Sequence, residues 1–340
     1  MNLHAFIAAM PKVELHIHLE GSIRPQTLLE LARRNDVALP AQDVAGLREF
    51  YRFRDFAHFL QVYSTITSCL KTLDDYRLIA YQFGADLARQ NIRYAEVTFT
   101  PEINVRGSGL PFDDILAALN EGRSQARTEF GGRWQWVLDI SRNRRETAMP
   151  VARWAVSAVD RGVVALGLGG PEADHLPKEC IAAFDYARAA GLHSAPHAGE
   201  LAGPSSVWGA LRYLHAERIG HGVRSIEDPV LVAYLREHQV PLEICPTSNL
   251  CLGVYPSYQE HPVRQFWDAG LYVTVNSDDP PLFNTDLVRE YTVLADDLGF
   301  TADDLERLGL NALCASFLPA EKKAQMEGEF KAEFAWLRTA

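Results

Sequence analysis

Nothing in the cysteine content of this chain supports a disulfide framework. Cys69, Cys180, Cys245, Cys251 and Cys314 are few, odd in number and scattered, and no two form a CxxC. Such usage fits reduced thiols in a cytoplasmic protein. Long apolar runs are also missing: no stretch approaches the ~18 residues of a membrane-spanning helix. The opening residues, MNLHAFIAAMPK, have no basic flank and only a short apolar part, so they do not read as a signal peptide. Positive charge is in the minority, with 33 Lys and Arg against 44 Asp and Glu and a net charge of −11. That balance argues against a nucleic-acid surface and suits a soluble protein with a small-molecule partner. No Gly-rich loop is placed to cradle a phosphate. No linker, short repeat or low-complexity tract divides the 340 residues, which are expected to form one domain. The sequence carries no signal for oligomeric state.

What the chain does have is alternation. Strand-like runs fall at about 13–19, 92–98, 134–140, 163–168, 192–197, 218–220, 241–245 and 271–275, and a helical pattern follows each. Eight such units imply a closed parallel (β/α)8 barrel. The stretch from 50 to 89 reads as helical and is longer than one crossover helix requires. Its aromatic and aliphatic positions, Phe56, Phe59, Leu60, Tyr63 and Ile66, suit core packing or a lid over the strand ends. Three more helical stretches are expected over about 286–338.

The polar motifs sit at the C-terminal ends of these strands, the face that carries active sites in such barrels. In PKVELHIHLEGS, His16 and His18 are two residues apart, so on a strand both face one side. HAGE supplies His197 and Glu200, GHG supplies His221, and NSDDP supplies Asp278 and Asp279. Three neutral imidazoles and a carboxylate suit a divalent metal, most simply zinc, which activates water at neutral pH. Spacing alone leaves open which three imidazoles would bind it. Glu200, near the metal but not needed as a ligand, is a candidate proton donor if burial keeps it neutral. His221 is a candidate to take a proton from water or to orient it, and its flanking glycines point to a close approach. Glu243 is a candidate to hold the His221 ring in one tautomer. Asp279 is a candidate substrate contact. Each has an ordinary alternative. A lone HxH is often packing, Glu200 is often a helix-start carboxylate, and Glu243 is often a structural ion pair.

PKVELHIHLEGS, GGPE, HAGE, IGHG, CPTSN and NSDDP, in this order between about Pro11 and Glu290, together resemble the adenosine deaminase family of zinc hydrolases. The resemblance implies one zinc ion held by His16, His18, His197 and Asp278. It implies that Glu200 protonates purine nitrogen 1 and that His221 is base or electrostatic partner to the attacking water. It further implies that Asp279 meets nitrogen 7 and that the Gly170 amide meets nitrogen 3. The fourth strand ends in LGLGG, without the lysine that bridges two metals in related barrels, which favours one metal.

Glu20 departs from the pattern. Family members acting on adenosine itself usually carry Asp there, reaching the ribose 5′-hydroxyl. HLEGS, GLGGPE, PHAGE and SDDPP resemble instead the aminodeoxyfutalosine deaminases of menaquinone biosynthesis, whose substrate bears a carboxyphenyl ketone arm at that position. Adenine deaminases share HLEGS but differ from SDDPPLFNTDL. The expectation is a 6-aminopurine nucleoside substrate, with a 5′-modified adenosine preferred, adenosine next and adenine third. A carboxylate on the substrate needs a cation at the pocket mouth. Arg52 and Arg54 in the lid segment are the expected source, with Phe56 beside them.

Overall fold

A computed structural model describes residues 2–173 and 175–339 of the chain. The centre holds nine short parallel strands among the described residues. They are β1 (Lys12–His18), β2 (Ile92–Phe99), β3 (Trp134–Ser141), β4 (Val163–Gly169), β5 (His193–Ser194), β6 (His197–Ala198), β7 (Ile219–His221), β8 (Leu242–Ile244) and β9 (Val273–Val275). They form two hydrogen-bonded runs in sequence order, β1 to β5 and β6 to β9. β5 and β6 are one strand position interrupted at Ala195 and Pro196, because proline has no N–H for the ladder. The Pro196 carbonyl still accepts from Gly220 N at 3.0 Å. On the opposite side a bridge joins Ile17 to Asp278. There Asp278 N donates to His16 O at 3.1 Å, and His18 N to Asp278 O at 2.9 Å. Eight parallel strand positions therefore follow one another in the (β/α)8 order that the alternation implied.

β1 is buried along its whole length. Val13, Leu15 and Ile17 occupy one face; Lys12, Glu14, His16 and His18 occupy the other. This alternation presents both histidines to the same side.

The helices α1 (Leu3–Ala9), α2 (Pro25–Arg34) and α3 (Val44–Phe50) precede α4 (Phe56–Ser68) and α5 (Leu73–Arg89). The helical stretch from 50 to 89 is therefore broken. Asp55 caps α4 at His58 N, and Thr72 with Asp75 closes a capping box on α5. After β2 come α6 (Pro101–Ser108) and α7 (Phe112–Phe130). α5 packs against α7 as a barrel helix, whereas α4 and α6 pack together beside the strand ends. α6 starts with Pro101 in its first turn and stops at Gly109, whose φ of 75° is the left-handed end conformation. Helices Leu287–Leu298, Ala302–Ala315 and Ala320–Thr339 end the chain. All five cysteines are free thiols. Among the described residues no helix is long and apolar enough to cross a membrane.

Candidate active site

The C-terminal ends of the strands open into a cavity of about 210 Å³. His18, Asp139, Gly169, Gly170, His197, Glu200, His221, Asp278 and Asp279 form its inner end, and Phe56, Phe59, Leu60, Ile103 and Arg106 lie on its helical wall. Strand ends thus gather residues that are far apart in the sequence.

His16, His18, His197 and Asp278 each bring one donor atom to within 4.8 Å of the others. His18 Nε2 and His197 Nε2 face each other at 3.3 Å. Asp278 Oδ1 lies 3.6 Å from His16 Nε2 and 3.3 Å from His18 Nε2. His16 Nε2 is buried without a hydrogen-bond partner among the described residues. Imidazole nitrogens converging on a carboxylate, one of them unpartnered, form an arrangement that a divalent cation satisfies. Asp278 is held firmly for such a role. Its φ is 65°, a region few non-glycine residues adopt, and the bridge to β1 fixes it there. Ser248 Oγ donates to its other oxygen at 2.7 Å. A second grouping, His16, His221, Cys245 and Asp278, is equally compact. It is the poorer donor set, because burial pushes the Cys245 thiol well above its usual range.

Glu243 does not hold His221. Its Oε2 lies 2.8 Å from His16 Nδ1, and its Oε1 accepts from Arg218 Nε at 2.6 Å. Arg218 in turn pairs with Glu96 at 2.6 Å. The reason is Gly220: a Cβ there would come within 2.8 Å of His16 Cε1. Without it, the His16 ring lies across β7 and meets the carboxylate on β8. His221 is held instead by Asn249, whose Nδ2 is 3.2 Å from His221 Nδ1, with His261 Nε2 3.0 Å from the other end of the amide. With the amide assigned this way the ring proton sits on Nε2, the edge 3.7 Å from Glu200 and 3.9 Å from Asp278. Burial, with the charge of His16, pulls the His221 imidazolium down to about 3, so the ring is neutral.

Burial raises the Glu200 carboxyl well above its usual range, and the neighbouring Asp278 adds to this. Asp279 moves the same way for the same two reasons. In both, these surroundings favour the protonated form. Asp279 fits only because Gly21 has no side chain; a Cβ there would overlap its Oδ1 at 1.6 Å. Glu172, in the GGPE motif, anchors the HAGE turn. Its Oε2 accepts from the backbone N–H of Glu200, Leu201 and Ala202 at 3.1, 2.8 and 2.9 Å.

Three expected contacts fall outside the cavity. Glu20 is fully buried, but its Oε1 accepts from Thr100 N at 3.0 Å and Asn104 Nδ2 at 2.7 Å, so it supports the start of α6. Arg52 and Arg54 are exposed and do not line the cavity; Arg52 pairs with Glu49 at 3.1 Å. They precede the Asp55 cap and so miss the face that α4 turns inward. Phe56 does line the wall. Sequence reasoning missed Asp139 and Arg106. Asp139 is a lone carboxylate at the end of an apolar strand, pushed up to about 7 by burial, and its position was a legible signal.

The model of the family described as adenosine deaminase matches residues 11–332. An aminodeoxyfutalosine deaminase from Streptomyces coelicolor is 44% identical over 340 residues, covering 99% of this chain and 88% of that protein. An adenosine deaminase from Klebsiella pneumoniae is 35% identical over 323 residues, covering 94% and 97%. Among solved structures, a zinc-bound amidohydrolase from Burkhoderia ambifaria superposes with a TM-score of 0.92 at 29% identity, covering 100% of this chain and 95% of that one. The four-ligand cluster and that relative together make the inner end of the cavity a divalent-metal site. The chain belongs to the adenosine deaminase family and is a hydrolytic deaminase acting on C–N bonds.

Proposed function

We propose that the protein is a zinc-dependent deaminase of a 6-aminopurine nucleoside whose 5′ position carries an extended arm, as in aminodeoxyfutalosine. The observation that carries this reading is the single cavity joining a metal cluster, two carboxyls whose pKa burial raises, and an apolar, Arg-bearing wall. A base alone would fill only the inner end, which disfavours adenine. Adenosine is the second reading, favoured by the relative from Klebsiella pneumoniae.

His16, His18, His197 and Asp278 would hold the zinc, which supplies a Lewis acid able to activate water at neutral pH. The neutral Glu200 gives its proton to purine nitrogen 1, which makes the carbon bearing the amino group more electrophilic. The His221 Nε2 proton steadies the attacking oxygen as it gains negative charge. Asp279, also neutral, donates to nitrogen 7, and the Gly170 amide donates to nitrogen 3. Water adds its oxygen to the carbon, one of its protons passes to the amino nitrogen and the other restores Glu200, and the C–N bond breaks to release ammonia. The test offers zinc-loaded protein adenine, adenosine, methylthioadenosine and aminodeoxyfutalosine and compares kcat/KM for ammonia release. The highest value is expected for aminodeoxyfutalosine; a higher value for adenosine would overturn the 5′ assignment.

A further inference from the structure

Arg106 is the only lysine or arginine among the described residues that line the cavity; the other charged or titratable groups there are carboxylates, imidazoles and the Tyr63 phenol. It stands three residues after Ile103 on α6, so both face the same side. α6 leaves the barrel at Thr100, and a rise of 1.5 Å per residue puts Arg106 about 9 Å further out. Its side chain is 57% exposed, as expected at a mouth rather than in a core. Only its Nε is engaged, donating to Glu102 Oε1 at 2.9 Å, and the two terminal nitrogens form no hydrogen bond among the described residues. Glu102 is nearly buried and is shared with Arg144, 3.4 Å away. Arg144 Nε is itself met by Glu146 at 2.8 Å, so the two guanidinium groups share two carboxylates, and the Arg106 terminal nitrogens are left without a hydrogen bond among the described residues.

We propose that Arg106 is the residue that selects an anionic group on the sugar side of the substrate, and that this group is a carboxylate at the end of an apolar, ring-bearing arm. The proposal rests on the functional reading above and gives the arm its recognition chemistry. A carboxylate and a 5′-phosphate could both meet a guanidinium fork. The wall decides between them. Phe56, Leu60 and Ile103 line the same cavity as Arg106. They suit a ring held between purine and anion, and they provide none of the several N–H donors that cradle a phosphate. An exposed helix pair between Glu102 and Arg106 would by itself stabilise little and would not affect substrate choice.

The experiment measures kcat/KM for adenosine, adenosine 5′-monophosphate and a 5′-deoxyadenosine carrying a carboxyphenyl ketone arm. The native protein is compared with Arg106→Gln, Arg106→Lys and the exposed control Arg52→Gln. The native enzyme is expected to prefer the carboxylate. Arg106→Gln should reduce the carboxylate-to-adenosine ratio by about 10- to 100-fold, mostly through KM. Arg106→Lys should fall between, since a point charge replaces the fork. Arg52→Gln should keep the native ratio. A native preference that Arg106→Gln leaves within twofold would overturn the role of Arg106 and spare the substrate reading. A native preference for adenosine would overturn both. A preference for the monophosphate that Arg106→Gln abolishes would overturn the carboxylate and retain the anion receptor.

Discussion

The inner end of the cavity and its helical rim are built in opposite ways. At the inner end the polar groups are mostly buried, and several are oriented by their neighbours. His16 is oriented by Glu243, Glu243 by Arg218, His221 by Asn249, and the HAGE turn by Glu172. At the rim Arg106 has one hydrogen bond, and the wall of α4 is aromatic, with Phe59 stacked 5.8 Å from Phe283. Such packing is non-directional and tolerates a range of shapes. The contrast separates chemistry from selectivity: a reaction centre needs fixed positions, whereas a rim can be altered without disturbing it.

The sharpest way to break this contrast is at the metal cluster. His16→Ala or Asp278→Ala should lose bound metal and bring turnover to background, read by elemental analysis beside an ammonia assay. Retained activity in a metal-free variant would show that the inner end is not a metal centre. Glu200→Gln should keep the metal and lose about 10²- to 10⁴-fold in kcat. Because burial raises the Glu200 pKa, its protonated form is the working one. The native kcat/KM should therefore fall as pH rises through that pKa, and the residual activity of Glu200→Gln should lack this alkaline fall. An unchanged pH profile would remove Glu200 as the acid.

One step out from the ligands the effect should shrink and change character. Glu243→Gln weakens the partner of His16 Nδ1 and leaves Arg218 with one carboxylate fewer. Metal affinity should drop about 10- to 100-fold, measured by competition with a chelator. Turnover at saturating metal should change less than affinity does. Equal losses in both would mean that Glu243 shapes the reaction itself and not only the ligand.

Legibility in the sequence followed the same division. The strand-end residues were readable because a side chain's direction on a strand follows from alternation, and each motif ends a strand. Glu243 was readable as a supporting carboxylate, but not its partner. Which ring it reaches depends on Gly220, whose missing side chain lets His16 lie across β7. Pro196 was visible, yet the strand it interrupts still reads as one position, because its carbonyl keeps the ladder. The rim was misread. Arg52 and Arg54 are close in sequence to the lid, but Asp55 starts α4 after them. Arg106 reaches the cavity only through the packing of α6 against α4 and β3, which no local pattern encodes.

Glu20 joins the two regions, and its substitution should give the smallest effect of the series. It follows His18 by two residues, yet its carboxylate supports Thr100 N and Asn104 Nδ2 at the start of α6. Aspartate withdraws the carboxyl by one methylene, about 1.5 Å. Bonds of 3.0 and 2.7 Å would then stretch beyond useful range unless the backbone moves. Donors left short of a partner in a buried site cost about 1–3 kcal/mol. Glu20→Asp should therefore lower Tm by several degrees. Because α6 carries Ile103 and Arg106, it should also raise KM for the arm-bearing substrate more than it lowers kcat. Thermal melts and the two kinetic constants test both parts together. A native Tm with a shift in favour of adenosine would mean that Glu20 meets the substrate directly. A lower Tm with KM raised for the arm alone would place its influence on selectivity in the helix it supports.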